Sequence, residues 1–173
     1  VDPTGKPSPQ RWVPRPGGGD PLRPGVVTWV WEGTFAIRRD VFERVGGWPG
    51  HFFYGHEGID LMWRVWDLGY VGWYAPDIVM NHPATSPTRH AVYYRMNARN
   101  RVWVARRNLP WPLVVAHLAA WTVLTVVRLR SPRKLAPWFA GFREGLGPGS
   151  GERRPMSWRT VWRLTLAGRP PVV

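Results

Sequence analysis

From Trp111 to Val127 the chain runs for 17 residues without a charged side chain. Wound as a helix at ~1.5 Å per residue it measures about 26 Å, a little short of the ~30 Å hydrocarbon core of a bilayer. His117, Trp121 and Thr125 recur at i, i+4 and i+8 and give it a mildly polar stripe, while Arg106, Arg107, Arg128 and Arg130 flank it as interfacial anchors would. An in-plane or hairpin membrane helix, a buried bundle helix and a single short membrane span all satisfy this pattern.

The charge reinforces a membrane reading. The net charge is +13 over 173 residues, and all of the excess lies after residue 90, where fifteen basic side chains face two acidic ones. Twenty-two of the basic residues are arginine, in a chain also rich in Gly, Pro and Trp, so the arginine preference alone proves no phosphate recognition. No zinc-ligand spacing, recognition-helix pattern or ribonucleoprotein motif accompanies the basic tail, which argues against a nucleic-acid partner. Basic residues around an apolar helix point instead to anionic headgroups at the cytoplasmic face of the cell membrane. There is no cysteine, which excludes disulfides, thiol nucleophiles and thiolate metal sites.

Punctuation by Gly and Pro divides the rest. Residues 1–25 hold twelve of them, too many for a helix or a central strand, and read as a loop. Val26 to Trp31 is β-branched and aromatic, as a largely buried strand would be. Asp40 is placed to cap a helical turn that stops at Gly46-Gly47. Glu57 to Leu68 reads as a helix with Glu57 and Asp60 in its first turn, Asp60 and Arg64 as i, i+4 neighbours, and Gly69 as the stop. Tyr70–Tyr74 and Asp77–His82 read as short strands, and a strongly basic helix follows from about Arg89 to Arg107.

The segment Gly46-Gly47-Trp48, Phe53, Glu57, Asp60-Leu61, Arg64, Gly69-Tyr70, Pro76 and His82, with the later Tyr93-Tyr94 and Arg99-Asn100, resembles the family 2 glycosyltransferases. These are inverting enzymes of GT-A fold that move a sugar from a nucleotide-diphosphate sugar to an acceptor hydroxyl. The resemblance covers about residues 26–108 and implies an α/β fold, the second half of a Rossmann-like GT-A sheet, followed over 109–173 by basic and apolar helices that associate with the membrane. It implies a divalent ion, Mn or Mg, while the basic and apolar tail points to a membrane-borne glycan or lipid-linked acceptor, as in cell-envelope synthesis. Two departures stand out. The family's catalytic aspartate position is Gly58 here, and no Asp-x-Asp motif occurs, so the resemblance implies that the donor-binding half lies outside this chain. An inactive piece or a membrane-binding module is the alternative.

The base role then falls to Glu57, with Asp60 second. Inversion needs a carboxylate within hydrogen-bond reach of the acceptor hydroxyl, whereas an acidic residue at a helix start more commonly satisfies amides and the dipole. For Asp60 a bond to Arg64 or to loop amides is the simpler role. Trp48, in its Gly-rich loop, is placed to stack on a sugar ring. Glu32, His56 and Arg64 are further substrate-binding candidates, and the resemblance assigns His82 to the metal or the diphosphate.

Overall fold

The structure, a computed structural model, describes residues 20–80 and 91–172. Among these residues there are six α-helices and one sheet of two three-residue strands. The expected α/β, GT-A-like architecture is therefore wrong: the protein is mostly helical. Strand β1 is Gly25–Val27 and pairs antiparallel with β2, Gly72–Tyr74, placing Val26 opposite Trp73. The remainder of the apolar run, Thr28–Trp31, leaves the ladder, and the Val30 carbonyl lies against Gly58 at the start of a helix. Its β-branched and aromatic residues mark a half-buried surface, and that surface need not be a sheet. Asp77–Met80 likewise forms no strand, and Asn81 and His82 lie outside the described residues.

Helix α1 is Arg39–Arg44. Its N-cap is Arg38, whose guanidinium holds Asp40 at 2.9–3.0 Å, so Asp40 serves the first turn by ion pairing and not by capping. Gly46 and Gly47 then take positive φ and stop the helix. Helix α2, Glu57–Asp67, is buried on nearly every side: Leu61, Met62, Trp63, Val65 and Trp66 all enter the main core with Phe52, Val104 and Leu109. Gly72 lets β2 lie on this helix, since a Cβ there would stand 2.6 Å from the Met62 methyl group and 2.9 Å from the Val27 carbonyl oxygen.

Helix α3, Ala91–Asn108, is the basic helix, yet it runs through the middle of the fold. Pro110 separates it from α4, Trp111–Leu129, which has Pro112 in its first turn, is long and apolar enough to cross a membrane and is only 11% buried over its apolar stretch. Helix α5, Pro132–Leu146, returns against α3. Gly141 and Gly145 face it, and any side chain at Gly141 would collide with the Arg95 carbonyl, so the two backbones touch directly. Helix α6, Trp158–Leu166, starts at Ser157, whose hydroxyl accepts from the Thr160 amide and donates to Asp67 of α2.

Arginines tie these pieces together at the helix C-termini, where carbonyls lack intrahelical partners. Arg64 donates to Val45 and Gly47 after α1, and Arg163 to Trp66, Gly69 and Tyr70 at the end of α2. Arg153 does the same for α3 through Arg106 and Leu109, and Arg106 for α5 through Gly145, Leu146 and Gly147. Much of the basic excess is thus spent on backbone oxygen inside the fold.

Candidate functional site

The loop from Gly46 to His56 brings the chain to the start of α2 through a series of left-handed residues. Gly46, Gly47 and Gly55 adopt φ of 82°, 73° and 78°, and so, without the freedom of glycine, do Phe53 at 64° and His56 at 77°. Such conformations cost ~1–3 kcal/mol each in a residue with a side chain, and they persist only where the surroundings fix them. Here α3 does the fixing. Asn100, fully buried, directs its amide to the carbonyls of Phe52, Tyr54 and Gly55 at 2.8–3.0 Å. Beside it Arg99 donates to Phe52 O at 2.9 Å and lies over the Trp103 ring. The turn is thereby held open toward solvent, with Phe53 and Tyr54 exposed and Trp48 half-exposed against Phe35.

Glu57 sits behind this loop. It is 5% exposed, and its Oε2 has no hydrogen-bond partner among the described residues. Burial pushes its pKa above the ordinary 4.5. Its own amide and that of Gly55 pull back, as does the more distant Arg99, while the nearby charge of Glu32 adds to the rise. Tyr54 shares the surroundings, its phenol pushed up by burial and by the proximity of Tyr93 and Glu57. The arrangement is a carboxylate with raised proton affinity, an uncommitted oxygen and aromatic neighbours.

Glu32 is not free to move with substrate, because its Oε1 accepts the Gly58 amide at 3.1 Å. That bond closes the Trp31–Glu32 turn onto the first turn of α2 and brings the Val30 carbonyl against Gly58, where a Cβ would collide with it. The contact explains the glycine at this position: no side chain, least of all a carboxylate, fits there. His56 is buried at the N-cap of α2 and makes no side-chain cap bond.

Asp60 and Arg64 turn away from this edge and into the protein. Asp60 is fully buried; its Oδ2 lies 2.7 Å from Arg64 Nη2, and its Oδ1 accepts from Asn108 Nδ2 at 2.6 Å with Arg107 Nε at 3.0 Å. Both oxygens are engaged, and Arg64 passes the connection on to the Gly46-Gly47 turn. The pair therefore fixes the loop that carries Trp48. Asn100, Asn108 and Arg107, which complete this framework, carry no local sequence signal of that role, since each acts on a segment more than forty residues away.

No family model, curated protein or solved structure matches the chain. Among the described residues no three His, Asp or Glu side chains converge as ligands of a metal ion would, and His82 lies outside them. The described residues alone supply no Mn or Mg ligand set.

Proposed function

We propose that the protein transfers a sugar from a nucleotide-diphosphate sugar to an acceptor hydroxyl, with Glu57 as the general base, at a membrane surface. The observation that supports this most is the buried Glu57 carboxylate, whose Oε2 has no partner among the described residues and whose pKa is raised. The amides of Glu57 and Gly55 act on this carboxylate as they would on any helix-start acid, but they leave Oε2 open, whereas both oxygens of Asp60 are engaged by side chains. In the proposed step the free Glu57 oxygen takes the acceptor proton while the acceptor oxygen bonds to the anomeric carbon. The bond from that carbon to the diphosphate breaks, its electron pair leaves with the nucleotide diphosphate, and the configuration inverts. A raised pKa suits this work, because a stronger base takes the proton earlier along the reaction.

The aromatic rim of Trp48, Phe53 and Tyr54 supports a carbohydrate acceptor, as ring faces stack on the apolar faces of sugars. The exposed apolar helix α4 supports a membrane location and, with it, a lipid-linked or envelope glycan acceptor. The test is nucleotide release and product formation by the complete reading frame in which this chain lies, wild type against Glu57→Gln. A fall in kcat/KM of about 10²–10⁴-fold is expected for loss of a general base. Wild-type turnover in the variant would overturn the assignment.

A further inference from the structure

The polar and the apolar sides of α4 have different partners, and the difference decides how the helix meets a bilayer. Its inner side is tied to the rest of the protein at mid-length. His117 donates from Nδ1 to Pro171 O at 2.8 Å, and its ring meets Trp63 of α2 edge-on at 6.3 Å. One turn later Trp121 is covered by the guanidinium of Arg101 from α3, 3.7 Å above the ring, and Arg101 is itself buried. The outer side carries Trp111, Val115, Val123 and Val127, with Val115 and Val123 68% and 62% exposed.

We infer that α4 lies flat in the surface of an anionic bilayer, its outer side among the acyl chains, and does not cross it. A transmembrane placement would put the helix midpoint at the bilayer centre. Arg101, Trp63 and the α2–α3 core with its charged Asp60 cluster would follow, because they are packed on that midpoint. Charge inside hydrocarbon is strongly disfavoured. A flat placement leaves all of these in water or protein and buries only the apolar stripe, the usual arrangement of interfacial helices.

Charge complementarity names the lipid. At the end of α4 and the start of α5, Arg128, Arg130, Arg133 and Lys134 are exposed and form no ion pair among the described residues, and no acidic residue occurs in the sequence between Asp77 and Glu144. A cluster of this size next to an apolar stripe favours anionic headgroups. At the opposite end Trp111 lies under Arg153, an aromatic–cation pair of the kind found at headgroup depth.

The inference rests on the membrane part of the proposed function and not on the role of Glu57, so either can fail alone. The absence of cysteine allows one thiol to be placed at will. The protein carrying Trp111→Cys or Arg130→Cys is bound to phosphatidylcholine vesicles with and without phosphatidylglycerol, and a membrane-impermeant maleimide is added outside. Both ends are expected to label fully without lysis, and Val115→Cys and Val123→Cys carrying a polarity-sensitive dye should report the same shallow depth. Protection of one end until lysis would overturn the flat placement. Neutralising the four basic residues to Gln should weaken partitioning to phosphatidylglycerol vesicles by at least about a hundredfold. Equal binding of the quadruple variant, or no vesicle binding by the parent protein, would overturn the anionic docking surface.

Discussion

Asn108, the last residue of α3, donates to Asp60 Oδ1 at 2.6 Å in the first turn of α2, and both side chains are buried. This bond, with Arg64 on the other oxygen and Arg107 close by, makes a single carboxylate the joint between two helices and the Gly46-Gly47 turn. Asp60→Asn would keep the shape and remove the charge, leaving the buried Arg64 and the partly buried Arg107 without their counter-ion. Breaking a buried pair in this way costs ~3–5 kcal/mol, several times a surface ion pair. Urea denaturation should show a loss of that size, with little change in slope. A loss below ~1 kcal/mol would mean that water reaches the cluster.

Gly58 predicts a different kind of failure. Its Cβ position is occupied by the Val30 carbonyl, so Gly58→Ala must push the Trp31–Glu32 turn off α2 and break the bond from the Gly58 amide to Glu32. Overpacking of this sort costs ~1–3 kcal/mol. Gly50, in contrast, has open space around it and negative φ, and Gly50→Ala should be nearly neutral. Equal melting temperatures for the two variants would contradict the described approach of Val30.

The contrast between Gly58 and Gly50 also marks what the sequence carried and what it did not. Helix α2 was legible from its start at Glu57 to the stop at Gly69, and α3 and α4 from their spacing and from Pro110, because those signals lie within one turn of where they act. The Asp60–Arg64 pair was legible for the same reason. The sheet was misread because β-branched residues mark a buried extended segment whether or not it has neighbouring strands, and strand partners are a long-range property. The roles of Asn100 and Asn108 were invisible for that reason too. Arg106 reads in the sequence as a headgroup-facing anchor because nothing local distinguishes an arginine facing a membrane surface from one facing a carbonyl.

His117 gives the fold a dependence on mild acid. Burial, with the charge of Arg101 second, lowers its pKa from 6.5 to about 4, while the bond to Pro171 O opposes the shift. The unfolded chain therefore takes up this proton more readily than the folded one. Stability from this residue is complete above pH 6.5 and is lost as the pH falls toward about 4, at up to ~1.4 kcal/mol per pH unit. His117→Phe should abolish that component, so the difference between wild-type and variant stability curves in lipid-free protein should slope through this window and flatten above it. Parallel curves would show that the imidazole is hydrated.

Glu57 carries the opposite sign, and that sign separates a functional carboxylate from a structural one. Its folded pKa is raised above 4.5, chiefly by burial, so the folded protein holds the proton more tightly than the unfolded chain. Below 4.5 both states are protonated and the residue costs nothing; as the pH rises from 4.5 through the raised folded value the ionised form becomes a burden on the fold. Glu57→Gln removes the charge at constant shape and should stabilise the protein at pH 7, within the ~0.5–2 kcal/mol common for single stabilising substitutions, with the gain fading in acid. Asp60→Asn, in the same helix turn, is expected to destabilise the protein instead, because it removes the counter-ion of Arg64. Denaturation of the two variants at neutral and acidic pH measures both, and a Glu57→Gln protein less stable than wild type at pH 7 would place Glu57 among the residues that hold the fold and remove the case for it as a base.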